Sequence, residues 1–470
     1  MTKLNQKKNF LLEKLFQLFK VPYLYHIPGP RGLEYVKLMF HFQRNSLTAL
    51  EETYKDYGKI ACYPWPVSTI IIYDPKIIKQ VLIDKNQIYV KGTQTDKMKV
   101  VLGDGLVTNN DRVSWLRNRV VVSKETNTKA VRGFSSIILE FAKELSKDWQ
   151  KGLNEASALT VDVSPVMRNI TFKVAGKTLL GANLSSTDAE AVDAAVLFTS
   201  RKAHDHMFQF FPIPYWVPTP QNKKFHEHCR NMDRIVYRLI EEAKTNTKEG
   251  ISILERLVQA CDPETNKPLS DKTLRDEVLT LLIAGYETTS NTLVWILGLI
   301  AAHPDIQEKI QNELDQSETI IDSMEFSKVY PLLYYTILEG IRLYTTIPMS
   351  SRKNTSEDFF GDFQIPANTS IVIPSWVIHR HEDFWENSLK FDPMRFKDVD
   401  VNTLDNYIPF SKGGRRCVGE AFATVEVAVI ISTLLRDFQF KLKETTLPNA
   451  VAYVSLKPEN GLELIIEKRK

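Results

Sequence analysis

The stretch Phe410-Ser411-Lys412-Gly413-Gly414-Arg415-Arg416-Cys417-Val418-Gly419 sets one cysteine among glycines and basic side chains. Ala421, Phe422, Ala423, Val425, Val427, Ala428, Ile430 and Ile431 follow at helical spacing. The pattern predicts a turn feeding the start of a buried helix. There the positive end of the helix dipole and free backbone N–H groups would stabilise a thiolate. Glycine lets the backbone approach a flat ligand closely, or take dihedrals that a side chain forbids. Arg415 can pair with an acidic group of such a ligand. The plainer alternative is an inert, buried cysteine on a glycine turn.

A second cluster can move protons. Ala284-Gly285-Tyr286-Glu287-Thr288-Thr289-Ser290 falls inside a long helix expected over 276–299 from the spacing of Val278, Leu281, Leu282, Leu293, Ile296 and Leu297. Gly, Thr and Ser are poor helix formers, and a local fault of this kind inside a helix is often functional. Threonine hydroxyls can capture backbone carbonyls and open a gap for water or O2. A neighbouring carboxylate can connect that water to solvent. The alternative is a kinked helix with a solvated glutamate.

The elements that must position these groups are legible in part. Glu339-Gly340-Ile341-Arg342 places an acid and a base at i, i+3 on one helix face, and Arg395 lies in Phe391-Asp392-Pro393-Met394-Arg395-Phe396. Trp115 and Arg119 share another helical face, which alone could be an exposed basic helix with a half-buried Trp. A helix is expected over 49–57, strands over 60–63 and 69–73, a helix from Asp74-Pro75 through Leu82, and further helices over 161–180 and 190–206. The aromatic, proline-rich run 208–218 reads as an apolar loop that either covers a core or lines an entrance for an apolar ligand. His226 and His228 are two apart and so point to different helix faces; they and His379 and His381 read as surface histidines rather than metal ligands.

Composition narrows the field. The chain has 470 residues, 43 % hydrophobic, enough for a sizeable core in one large domain over 28–470 after a short leader, 1–27. A net charge of +3 gives no argument for nucleic acid. Cys62, Cys229, Cys261 and Cys417 are scattered, which suits a reducing compartment and not a disulfide framework. No G-x-G-x-x-G or P-loop is present. Residues 10–19 are too short and too charged to span a bilayer. They could lie on a membrane surface or pack on the domain, so the expected location is cytoplasmic with at most peripheral membrane contact.

Four of these motifs, in order from about Pro28 to the C-terminus, resemble the cytochrome P450 family. The pattern F-x-x-G-x-R-x-C-x-G matches without a mismatch, and Ala284 to Thr289 is similar to A-G-x-[D/E]-T-T. The resemblance implies a mainly α fold with a smaller β region, and haem b between the long helix and the cysteine-loop helix. Cys417 would be the axial ligand of the iron, within a loop that includes Phe410, Gly413 and Gly419. Trp115, Arg119, Arg352 and Arg415 would surround two haem propionates. Ala284 and Gly285 would leave room above the iron, and Glu287 with Thr288 would deliver protons. Glu339, Arg342 and Arg395 would form a structural ion triad, and a last β hairpin would span 454–466 with Asn460-Gly461 as its turn. Residues 123–128 are polar where many members carry an apolar, Pro-containing stretch, which leaves local geometry there open.

The activity so implied is a monooxygenase acting on O2 and an apolar small molecule, in a monomer. Residues 218–222 and the following helix look similar to soluble bacterial members that act on fatty acids, with terpenoids or steroids as rivals. Electrons would come from a separate ferredoxin, flavodoxin or flavoprotein reductase, which Lys412, Arg415 and Arg416 could attract. The alternatives are a haem-thiolate peroxygenase or isomerase, which needs no redox partner, and a non-enzymatic haem sensor.

Overall fold

A computed structural model describes residues 24 and 26–469, apart from 64–67, 127–130, 182–183, 209–212, 246–251, 263–264 and 318–325. The leader segment 10–19 and the centre of the aromatic loop therefore lie outside the described residues.

Helices dominate. Those that shape the site are α1 (Arg112–Thr126), α2 (Ser135–Glu155), α3 (Val163–Leu179), α4 (Ser186–Phe208), α5 (Pro220–Thr245), α6 (Asp271–Ala302), α7 (Pro331–Leu343) and α8 (Glu420–Asp437). α6 is the axis of the fold. Ser270 caps its start by accepting from the Thr273 N–H. Its faces pack against α3, α5, α7 and α8. It is apolar nearly all round, with Leu282, Leu293, Ile296, Leu297 and Ile300 buried, as a helix in the centre of a large core must be.

The strands are β1 (Ile60–Tyr63), β2 (Thr69–Ile72), β3 (Tyr89–Lys91), β4 (Leu159–Asp162), β5 (Ser350–Asn354), β6 (Asp358–Phe360), β7 (Phe363–Ile365), β8 (Ser370–Ile373), β9 (Phe438–Leu442), β10 (Ala450–Ala452), β11 (Leu456–Pro458) and β12 (Glu463–Lys468). The largest sheet runs β1-β2-β8-β5-β3, antiparallel except for β2 against β8. In its last pair Lys91 lies opposite Arg352.

Three expectations change. The helix begun at Pro75 is α-helical only to Lys79 and widens into a π turn over Gln80–Asp84. The helix expected from residue 161 begins at Val163, after β4. The two runs flanking Asn460-Gly461 are not hairpin partners: β11 pairs with β10, while β12 pairs with β4 and β9. The reason is a contact remote in sequence. Gly461 takes φ +80° with the Asp162 carboxylate 2.6 Å from where its Cβ would be, and Asp162 accepts the Leu462 N–H at 3.1 Å. Asp162 draws the chain away toward β4 before a hairpin can close.

Candidate active site

The cysteine loop is a set of backbone constraints. The Cys417 N–H donates to the Phe410 carbonyl at 2.9 Å, closing the loop. Ser411 and Gly413 both take positive φ, +59° and +69°. A Cβ on Gly413 would stand 1.8 Å from the Leu82 carbonyl oxygen, so only glycine allows the loop to lie on the π turn. Cys417 itself is exposed. The protein around its thiol nevertheless pushes the pKa up, and Glu420 adds to this; the Gly419 N–H and the charges of Arg119 and Lys91 pull the other way. The Gly419 N–H is the stabilising contribution expected of the helix start, and burial outweighs it. A metal ion on the sulfur would remove the proton outright.

Next to the loop lies a cluster of cations. Arg352 is buried and donates to the Ser351 carbonyl at 2.9 Å and to Ser411 Oγ at 3.1 Å. Arg415 stacks 4.1 Å over the Trp115 ring and donates to the Asn109 carbonyl at 3.3 Å. Arg119 stands 5.4 Å over the same ring and donates to the Arg416 carbonyl at 2.7 Å. Burial, then their mutual repulsion, pulls Arg352 down to about 10; burial with Arg112 and Arg119 does the same to Arg415. Lys91 joins them, held well below its usual value by burial and then by Arg352 and Arg415. Among the described residues no carboxylate pairs with these four side chains. Buried like charges without a counter-ion are costly. The donor set therefore fits a ligand that brings two carboxylates, and the cysteine beside it fits the metal of the same ligand. The indole N–H of Trp115 is directed elsewhere, to the Leu106 carbonyl at 3.3 Å.

On α6, Thr288 Oγ1 donates to the Ala284 carbonyl at 2.6 Å, and Thr292 Oγ1 to the Thr288 carbonyl at 2.9 Å. The helix is unbroken through this run. Ala284 is exposed, Gly285 and Thr288 half-buried. Gly285 serves packing: an added Cβ would meet Leu179 Cδ1 of α3 at 3.1 Å. Glu287 is buried, not solvated, and accepts from Ser455 Oγ at 2.7 Å. Burial raises its pKa, opposed by Ser455 and Lys457.

The scaffold beneath is fully assembled. Glu339 receives Arg342 in a bidentate pair, 2.6 and 2.8 Å, and Arg395 at 3.4 Å. Arg342 also donates to the Ser388 carbonyl at 2.7 Å, so its charge is fully shared. His379 is no surface residue. It is fully buried, its Nε2 accepts the Ile408 N–H at 2.9 Å, and burial with Arg342 pushes it down to about 3. His226, His228 and His381 are half-buried; His226 Nε2 meets the Tyr215 carbonyl at 3.0 Å.

Lys91, Ser455 and the buried acid Glu277 escape the sequence reading. Lys91 sits on a strand with no motif, and only its register opposite Arg352 reveals it. Ser455 lies 168 positions from Glu287, and nothing local marks the pairing.

A family model described as Cytochrome P450 matches residues 27–465. The chain is 28 % identical over 448 residues to the Arabidopsis thaliana protein LUTEIN DEFICIENT 5, chloroplastic, covering 89 % of this chain and 74 % of that one. It is 25 % identical over 384 residues to cyclooctat-9-en-7-ol 5-monooxygenase of Streptomyces melanosporofaciens, covering 80 % and 81 %. Against the bifunctional cytochrome P450/NADPH–P450 reductase 2 of Bacillus subtilis it is 25 % identical over 463 residues, covering 94 % of this chain and 44 % of that protein.

Proposed function

Since the chain belongs to the cytochrome P450 family and is an oxygen-incorporating oxidoreductase that uses haem b, we propose that it hydroxylates an apolar small molecule through the cysteine loop and the α6 cluster. Bound haem supplies O2 activation, with a thiolate ligand favouring O–O cleavage. Cys417 would hold the iron. Lys91, Arg119, Arg352 and Arg415 would neutralise the propionates, and the Trp115 face would hold Arg415 and Arg119 in place. Phe410, Gly413 and Gly419 shape the loop. The exposed Ala284 lines the opposite wall, Thr288 holds a hydroxyl there, and Glu287 carries the proton to it. The observation that carries this reading is the carboxylate-free cation cluster beside an exposed cysteine.

For the substrate we favour a fatty acid, on the likeness of residues 218–222 to members acting on acyl chains. The name of the Streptomyces relative, a cyclooctat-9-en-7-ol 5-monooxygenase, keeps a terpenoid as the second reading. Exposed Trp216 (80 %) and Ile213 support an apolar entrance at the described end of the aromatic loop. Electrons would come from a separate ferredoxin, flavodoxin or flavoprotein reductase. Arg416 is paired with Glu420, which weakens its attraction, whereas Lys412 keeps its charge while donating to a backbone carbonyl. The exposed apolar row Val113, Leu116 and Val120 on α1 offers that partner a further contact. Among the described residues no helix is long and apolar enough to cross a membrane. We propose a cytoplasmic monomer whose leader touches a membrane at most peripherally; Leu33 and Phe40, exposed on the helix Gly32–Arg44, would extend that contact.

The test is an optical titration of the ferric protein with medium and long fatty acids, terpenes and steroids. A low- to high-spin shift with fatty acids alone supports the full reading. A shift with polycyclic ligands alone retains the monooxygenase and removes the fatty acid. Silence across the panel in a haem-loaded protein favours a sensor.

A further inference from the structure

The proton-delivering role proposed for Glu287 raises a question of geometry. A buried carboxyl on a helix has several rotamers, and only some connect to solvent. The structure shows what selects one. Ser455, on the turn between β10 and β11, donates to Glu287 Oε1 at 2.7 Å. Asn291, one turn along α6, donates through Nδ2 to Ser455 Oγ at 3.1 Å. All three are buried. A serine hydroxyl has one hydrogen and two lone pairs. With the Asn291 amide occupying a lone pair, the hydrogen is left for Glu287. Side chains four apart share a face of a helix, so Glu287 and Asn291 hold the same serine from consecutive turns.

The surroundings are charged and asymmetric. Lys457 of β11 faces Glu287 and favours its ionised form, as does Arg168 of α3; Asp193 of α4 opposes them, and Arg168 is itself paired with Asp193 at 3.2 Å. Lys457 is half-buried and lies 5.1 Å over the Tyr453 ring, with Arg201 of α4 at 5.9 Å from the same ring. The β10–β11 turn and the start of β11 thus bring a hydroxyl and an ammonium toward the buried acid Glu287 of α6.

We propose that Ser455, oriented by Asn291, is a positioning residue that holds Glu287 toward the β10–β11 turn, so that protons enter the site from Lys457 and the solvent beyond it. The relay is a simple exchange. Water between the two groups carries a proton from the Lys457 ammonium to the Glu287 carboxylate, Glu287 passes it inward, and solvent reprotonates Lys457. The inference rests on the reading of Glu287 as the proton donor. Ser455 donation opposes the effect of burial, so loss of the hydroxyl strands the carboxylate and favours its protonated form.

The test is infrared titration of the Glu287 carboxyl in the intact protein, its band assigned by difference against E287Q. Ser455→Ala should raise the titration midpoint by roughly one pH unit. The alkaline limb of coupled turnover should move with it, and haem content should not change. Ser455→Thr, which keeps a hydroxyl, should restore both. Asn291→Ala, which leaves Ser455 intact but unoriented, should give a smaller shift in the same direction and guards against a misfolded Ser455 variant. An unmoved midpoint in both alanine variants, or a Thr variant that binds haem but behaves as Ala, overturns the positioning role. If E287Q turns over normally while the midpoint still shifts in Ser455→Ala, the donor reading is wrong and the proton route with it. If E287Q is inactive and the midpoint does not shift, only the positioning role falls.

Discussion

At the scale of single residues, the site holds a cluster of cations that, among the described residues, pair with no carboxylate. Arg352 and Arg415 are both pulled down to about 10, by burial and by neighbouring cations. A dianionic ligand turns that repulsion into attraction. Arg415→Met should therefore release haem about 10- to 100-fold faster, measured by transfer to a haem scavenger, because a charge-assisted hydrogen bond contributes about 1.5–3 kcal/mol. The haem-free variant should melt no lower than the parent, since a buried unpaired charge has been removed. An equal loss of stability in both forms would mean that Arg415 only packs. Most of this was readable in advance. Cys417, Arg415, Glu287 and the Glu339–Arg342 pair each sit in a short motif whose chemistry needs those types at that spacing. The orientation of the groups was not readable. The Trp115 N–H turned to a backbone carbonyl, and Gly285 packs on a neighbouring helix, because partners outside each motif decide what its residues meet.

At the scale of elements, α6 carries the chemistry and its neighbours hold it in register. Its long apolar period made it visible in the sequence, and the structure extends it at both ends, to Asp271 and Ala302. Boundaries moved where a polar cap overrode the apolar pattern. Ser270 starts α6, and Asp162 starts α3 by accepting the Ser164 N–H at 3.0 Å. The closing hairpin does not form because strand pairing there depends on Asp162, close in space but 300 positions away in sequence, which no turn signal reports. The contact between α6 and α3 at Gly285 is close enough that a side chain there must displace Leu179. Gly285→Val should cost about 1–3 kcal/mol in unfolding stability, read by denaturant titration. It should also disturb the Glu287 and Thr288 geometry, so that oxygen consumption uncouples from product. Unchanged stability would show that α3 yields at no cost, and would leave the glycine without the packing role given to it.

At the scale of the molecule, a few buried titratable groups set how stability varies with pH. Glu277 accepts from Asn118 at 2.8 Å and from the Leu106 N–H at 3.2 Å, and burial lifts it to about 7 from 4.5. The folded state holds its proton more tightly than the unfolded chain. Its contribution is therefore complete below about 4.5 and is lost as pH rises through about 7. The difference is on the order of 3 kcal/mol. The buried acid Glu426 acts in the same direction. His379, held near 3, acts oppositely: its contribution is complete above the ordinary histidine range and is lost as pH falls toward 3. Glu277→Gln should flatten the decline in Tm between about pH 5 and about pH 8; a decline as steep as the parent's would contradict the assignment. The overall fold class was legible because motifs spread from Pro28 to the C-terminus, and the buried acids were not, since a charged residue on a helix reads as solvated until tertiary packing covers it. The central claim is that Cys417 holds haem iron as a thiolate. The ferrous–carbon monoxide absorption spectrum of the haem-loaded protein tests it most directly. A red-shifted thiolate-type band that Cys417→Ala abolishes, in a variant that still folds, is the result expected here. A spectrum typical of histidine ligation, or one that Cys417→Ala leaves unchanged, would contradict the account.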